Sequence, residues 1–122
     1  MQPESSGTGN QFVLRQKLED FSAWFFPIVD RFPKREKWAL CTQIKNCIYR
    51  LMRTAIRMQK SRDKMRHAFE FDIDLEMLRY LVRHAHNFRY LSNRRLMLVT
   101  EQIAELGKIL GGLIKRQKGA RP

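Results

Sequence analysis

The sequence predicts an all-α protein, an antiparallel up-down-up-down four-helix bundle. Three observations carry that expectation. Apolar residues recur at steps of three and four along four successive stretches. The breaks between them are short and hold Pro33 or Ser92, and no stretch alternates as a strand does. Amphipathic helices must bury their stripes against one another, and short links make neighbours antiparallel. A chain of 122 residues with 43% hydrophobic content is one domain with room for a core. The expected organisation is a disordered polar tail over 1–10, a bundle over 11–116 and a disordered basic tail over 117–122.

The first helix is expected over about 11 to 32, where Leu14, Leu18, Phe21, Phe25, Ile28 and Phe32 form one stripe. Pro27 lies inside it; lacking an N–H and clashing with the carbonyl four residues back, it predicts a kink or an early end. Pro33 is placed to open the second helix, from about 34 into the sixties. Its main stripe is Leu40, Ile44, Cys47, Leu51, Ala55 and Met58; Trp38, Cys41, Ile48, Met52 and Ile56 widen the apolar sector to about half the circumference. The third helix starts at about 67 or 72, runs to about 90 and packs Leu75, Leu78, Leu81, Val82, Ala85 and Phe88. Glu70, Asp72, Asp74 and Glu76 crowd its expected start, and Arg79, Arg83 and Arg89 follow, a polarity that suits the helix dipole. The fourth begins near Ser92, a suitable N-cap, and buries Leu96, Val99, Ile103, Leu106, Leu110 and Leu113. Gly107, Gly111 and Gly112 interrupt it; glycine costs a helix about 1 kcal/mol relative to alanine, which predicts close approach of another backbone.

Charge says more about partners than about fold. Lys and Arg total 24 against 12 acids, a formal net charge of +12, which points to a nucleic acid, an acidic protein or an anionic surface. From Lys37 to Arg62 there are seven cations and no acid. Arg50, Arg53, Arg57, Lys60 and Lys64 recur at three- and four-residue steps opposite the apolar side of the second helix. A merely solvated face usually mixes Glu and Lys for mutual support, whereas these cations repel one another. They are the first candidates for a polyanion-binding surface acting through salt-dependent phosphate contacts. Arg79 and Arg83, one turn apart, either extend that surface or pair with acids of a neighbouring helix.

Other chemistries find little support. His84 and His86 are two residues apart and do not share a helical face, and no histidine follows a Glu by three residues, the di-iron bundle spacing. Cys41 and Cys47 lie six apart on one helix, cannot pair with each other, and read as reduced packing residues of a cytosolic protein. There is no phosphate-binding glycine loop and no nucleophile motif; no enzyme activity, metal, cofactor or small-molecule substrate is expected. No segment approaches the roughly 18 apolar residues of a membrane span. Phe12, Phe26 and Val29 lie nearly opposite the stripe of the first helix. With Trp38, Met52 and Ile56 they predict an interface between subunits, a ring being one solution.

The segments RFPKREKWAL, LEMLRYLVRHAH and LSNRRLMLVTEQIAELGKILGGLIK together resemble the Avd family. Those are the accessory variability proteins of diversity-generating retroelements, within the broader S23-like four-helix-bundle group. The resemblance spans about 11 to 116 and is most specific at Phe32, Pro33 and Lys34, around Arg79 and Arg83, and in the GxxxGG of the fourth helix. Where proteins encoded by inserts in ribosomal RNA genes carry a small-residue run such as ANIAEG, this chain reads RTAIRMQK, which favours the Avd branch. Leu113 stands where the family often has an aromatic. The resemblance implies a non-catalytic cytoplasmic protein, a pentameric barrel with a basic surface. Its implied partners are the retroelement's reverse transcriptase and template RNA, with DNA a further candidate, in mutagenic cDNA synthesis and retrohoming. The alternative is an S23-like protein-interaction scaffold or an rRNA-insert-encoded protein.

Overall fold

The computed structural model describes residues 6–119, and side chains from residue 12 onward. Four helices follow in order, α1 Ser6–Val29, α2 Leu40–Lys60, α3 Lys64–Asn87 and α4 Asn93–Gly119, with a 3-10 turn at Lys34–Glu36. No strand occurs among the described residues. α1 packs on α2, α2 on α3, α3 on α4, and α4 closes back on α1, while the diagonal pairs stay apart. Helices that neighbour one another in both sequence and space, joined by the short links 30–39, 61–63 and 88–92, run antiparallel.

The expected stripes form the core. Leu14, Leu18, Phe21, Phe25, Ile28 and Phe32 are buried, as are the six stripe residues of α2 and Val99, Ile103, Leu106, Leu110 and Leu113 of α4. α3 adds Ala68 and Phe71 to the expected Leu75, Leu78, Leu81, Val82 and Ala85. Truncating a fully buried phenylalanine such as Phe71 costs about 3–5 kcal/mol. Phe88, expected inside, is 55% exposed because α3 has already ended at Asn87.

Helix ends depart from expectation, each for a local reason. α1 starts at Ser6 and α4 persists to Gly119, so residues 6–10 and 117–119, assigned to tails, are helical; 1–5 and 120–122 lie outside the described residues. α1 stops at Val29, two residues beyond Pro27. Pro33 does precede a helical turn, but of 3-10 type, and α2 begins only at Leu40. α3 starts at Lys64, earlier than either expected start, because the Asp63 carboxylate accepts the Arg66 N–H at 3.3 Å. The acids from Glu70 to Glu76 therefore lie beyond its first turn. Ser92 caps α4 as expected, its hydroxyl accepting the Arg95 N–H at 3.1 Å. The glycines of α4 meet no foreign backbone: a Cβ at Gly107 would find only Arg79 and Leu75 side chains, and nothing lies within 4 Å at Gly111 or Gly112.

The links 30–39 and 88–92 share one end of the bundle and are tied through Tyr90. Its hydroxyl donates to Glu36 Oε2 at 2.8 Å, and its ring lies 5.5 Å from Phe32. The bond to Glu36 is the main reason the phenol is held above its ordinary pKa. α3 ends there in a Schellman motif, with Tyr90 N–H on the Ala85 carbonyl at 2.9 Å and Arg89 N–H on that of His86 at 2.8 Å. Arg89 occupies the left-handed position at φ 66°, where glycine is usual and an L side chain costs about 1–2 kcal/mol.

Candidate nucleic-acid interface

α2 buries one side against α1 and α3, which leaves its other side to solvent. Arg53, Arg57 and Lys60 stand exposed on that side, and none of them has a carboxylate partner among the described residues. Their spacing of four and three residues stacks them on successive turns, so like charges adjoin along one edge. The remaining two cations of the expected surface are engaged elsewhere. Arg50 Nε lies 3.5 Å from Asp74 Oδ1 of α3, a partly exposed pair. Lys64 belongs to α3, not α2, and its ammonium donates to the carbonyls of Met58 at 2.9 Å and Ser61 at 3.1 Å. It thereby satisfies carbonyls at the C-terminal end of α2, where a cation also suits the dipole.

Arg79 and Arg83 do not extend this face. Arg79 pairs with Glu76 of its own helix at 3.0 Å and lies against Gly107 of α4, on the far side of α3 from Asp74. Arg83, one turn on, is exposed and has no acidic partner among the described residues.

The residues expected at a subunit interface fall in different surroundings within the protomer. Val29 is fully buried within the protomer, since the chain doubles back after α1 and the Cys41 thiol donates to the Val29 carbonyl at 3.4 Å. Phe26 packs on the core with Tyr49 edge-on at 5.4 Å, and Met52 packs beside it; Ile56 is half-buried. Trp38 lies before α2 altogether and is 82% exposed, while Phe12 is exposed on α1. The larger unpartnered apolar face runs along α3: Phe69, Ile73, Met77 and Tyr80, and Phe88 just past its end, are all exposed. With His84, whose ring lies 5.9 Å from Tyr80 and 4.6 Å from Phe88, they form a stripe at steps of four and three. That spacing stands in the sequence, but the leucine stripe on the opposite side of α3 hid it.

Both thiols are free and buried. Burial pushes Cys47 up to about 11 and also raises Cys41, so neither is a thiolate near neutral pH. No cluster of three or more His, Cys, Asp or Glu close enough to hold a metal ion occurs among the described residues. Among them, too, no helix is long and apolar enough to cross a membrane.

A family model described as bAvd-like matches residues 12–117, which takes in all of α2 and α3 and all but the outermost turns of α1 and α4. No curated protein matches the chain.

Proposed function

The chain belongs to the bAvd-like family, and from that premise we propose that it is a non-catalytic accessory factor of a diversity-generating retroelement. It binds the element's reverse transcriptase and template RNA, in the cytoplasm, and supports mutagenic cDNA synthesis and retrohoming. The observation that carries the RNA part is the edge formed by Arg53, Arg57 and Lys60, three exposed cations with no acid to neutralise them. Such an edge suits phosphates, which it holds without reading sequence.

Function in this reading needs several copies, arranged as a ring and, following the family resemblance, as a pentamer. The exposed stripe of α3 supports self-association better than the residues singled out on α1. Burying a whole large apolar side chain contributes about 1.5–3 kcal/mol, and four such residues on α3, with Phe88 just past its end, are 39–68% exposed.

Co-purification with the reverse transcriptase of the same retroelement tests the reading. Binding of a structured RNA hairpin by the free protein and by that complex, measured from low to moderate salt, tests the phosphate contacts. The expected results are a stable complex and an affinity that falls steeply with salt. A protein that neither binds the enzyme nor takes up RNA at low salt refutes the proposal.

A further inference from the structure

The bundle end that carries the links 30–39 and 88–92 holds a second collection of cations, apart from the edge of α2. An open cleft of about 700 Å³ lies there, floored by Phe32 and Pro33 and edged by Lys34, Lys37, Trp38 and Lys45. One carboxylate reaches it, Asp30, and this is already paired with Lys45. Three lysines against one acid leave the cleft cationic.

Trp38 makes the cleft unlike an ordinary basic patch. It is the most exposed of the large apolar residues, at 82%, although the backbone around it is well held. Glu36 and Lys37 close the 3-10 turn with N–H bonds to Pro33 and Lys34, Ala39 N–H reaches the Glu36 carbonyl at 3.1 Å, and the Thr42 hydroxyl donates to the Lys37 carbonyl at 2.8 Å. The indole thus stands on a fixed turn. The Lys37 ammonium lies 5.1 Å from the ring centroid, and an indole this exposed keeps area free for a second planar group.

An exposed aromatic ring flanked by lysines is the arrangement that receives an unpaired base, with the ring stacking and the cations holding the adjoining phosphates. A paired base inside a duplex cannot offer its face to that ring. A peptide side chain would gain little from so open a cleft, since anchors of protein interfaces fill pockets that exclude water.

We infer that the Lys34–Trp38–Lys45 cleft binds an unpaired nucleotide of RNA, its base stacked on the Trp38 indole and its phosphate on Lys34 and Lys37. The inference rests on the RNA-binding reading above and adds to it a preference: the α2 edge accepts any phosphate backbone, while the cleft selects single strands.

Affinity of the full chain for a uridine homopolymer and for a blunt RNA duplex of equal length, at one low salt concentration, tests this. Trp38→Ala is expected to weaken single-strand binding by roughly 5- to 150-fold, the range that loss of one stacked base implies, with duplex binding unchanged. Trp38→Phe, which keeps a ring, is expected to stay within about threefold of the parent on the same stacking argument. Single-strand RNA should also quench the tryptophan fluorescence of the parent protein and not that of Trp38→Phe, in which only Trp24 emits. Unchanged single-strand affinity in Trp38→Ala, or an equal loss on both probes, overturns the inference. So does loss of reverse-transcriptase co-purification with RNA affinity intact, which would make the cleft a protein dock. If the parent binds neither probe, the broader RNA reading has failed and the cleft falls with it; if it binds both and only the Trp38 effect is missing, the broader reading stands.

Discussion

Replacing Arg53 and Arg57 together by alanine removes two exposed cations that pair with no acid among the described residues. Each phosphate contact contributes about 0.9 to the slope of log affinity against log salt on a duplex and about 0.7 on a single strand. Losing two should flatten the slope by about 1.4–1.8. Across a fourfold rise in salt that difference amounts to roughly 7- to 12-fold, well within reach of fluorescence anisotropy with a labelled RNA hairpin. Stability should not fall, because repulsion between like charges one turn apart is relieved and alanine favours the helix. Lys64→Ala is the control with the opposite signature. Its ammonium is engaged with the Met58 and Ser61 carbonyls, so its loss should cost about 1–3 kcal/mol and lower Tm, leaving the salt slope unchanged. A slope unmoved by the double substitution, or flattened by Lys64→Ala alone, refutes the division of the five basic residues drawn from the structure.

Ile73→Asp should dissociate the proposed ring into monomers. The side chain is 68% exposed in the protomer, so full burial contributes about 1–2 kcal/mol, and an aspartate there adds a desolvation cost. Light scattering should show a monomer with unchanged helical content, and an unchanged particle mass would exclude this face. Gly111→Ala and Gly112→Ala should each stabilise by about 0.5–1 kcal/mol, since nothing lies within 4 Å of either position; a drop in Tm would show that another backbone does lie there in the assembly. The Cys47 thiol, raised from 9.0 to about 11 mainly by burial, favours the fold in full below pH 9 and loses that contribution as pH rises through 11. Two units correspond to roughly 3 kcal/mol. Urea unfolding of the parent and of Cys47→Ala across that window should show the smaller decline in the variant, and parallel declines would refute the assignment.

The apolar stripes were legible because their periodicity is set by the core they fill: every stripe residue expected on α2 is buried. Helix ends were not, because short side chains and local charges compete there. The start of α3 was obscured by the acids from Glu70 to Glu76, which imitate a helix N-terminus, while the true cap, Asp63, sits in a run of basic residues. That error carried Lys64 with it, since the spacing from Lys60 holds only if one helix continues through both, and the chain reverses between them. Trp38 failed for the same reason. Placed on α2 it belongs to a packed face; placed on the turn before α2 it stands in solvent. Val29 looked outward on a helical wheel, but the doubled-back connection after Pro27 covers it, a tertiary contact that no single-helix projection contains.

The cationic edge of α2 is cheap for the fold, and that makes it informative. Repulsion across the pairs Arg53–Arg57 and Arg57–Lys60 costs about 0.2–0.5 kcal/mol each, less than one buried leucine contributes. Acids were within reach to remove even that cost. α3 lies beside α2 and carries Asp74, which pairs with Arg50, and Glu70, which turns to Arg66 of its own helix. Neither is directed at Arg53, Arg57 or Lys60. Solubility is served as well by mixed signs, with mutual support at i and i+4, so it does not account for segregation along one edge. An anion supplied from outside the chain does. The same reasoning applies at the bundle end, where Asp30 takes up Lys45 while Lys34, Lys37 and the exposed indole of Trp38 are left to a phosphate and a base.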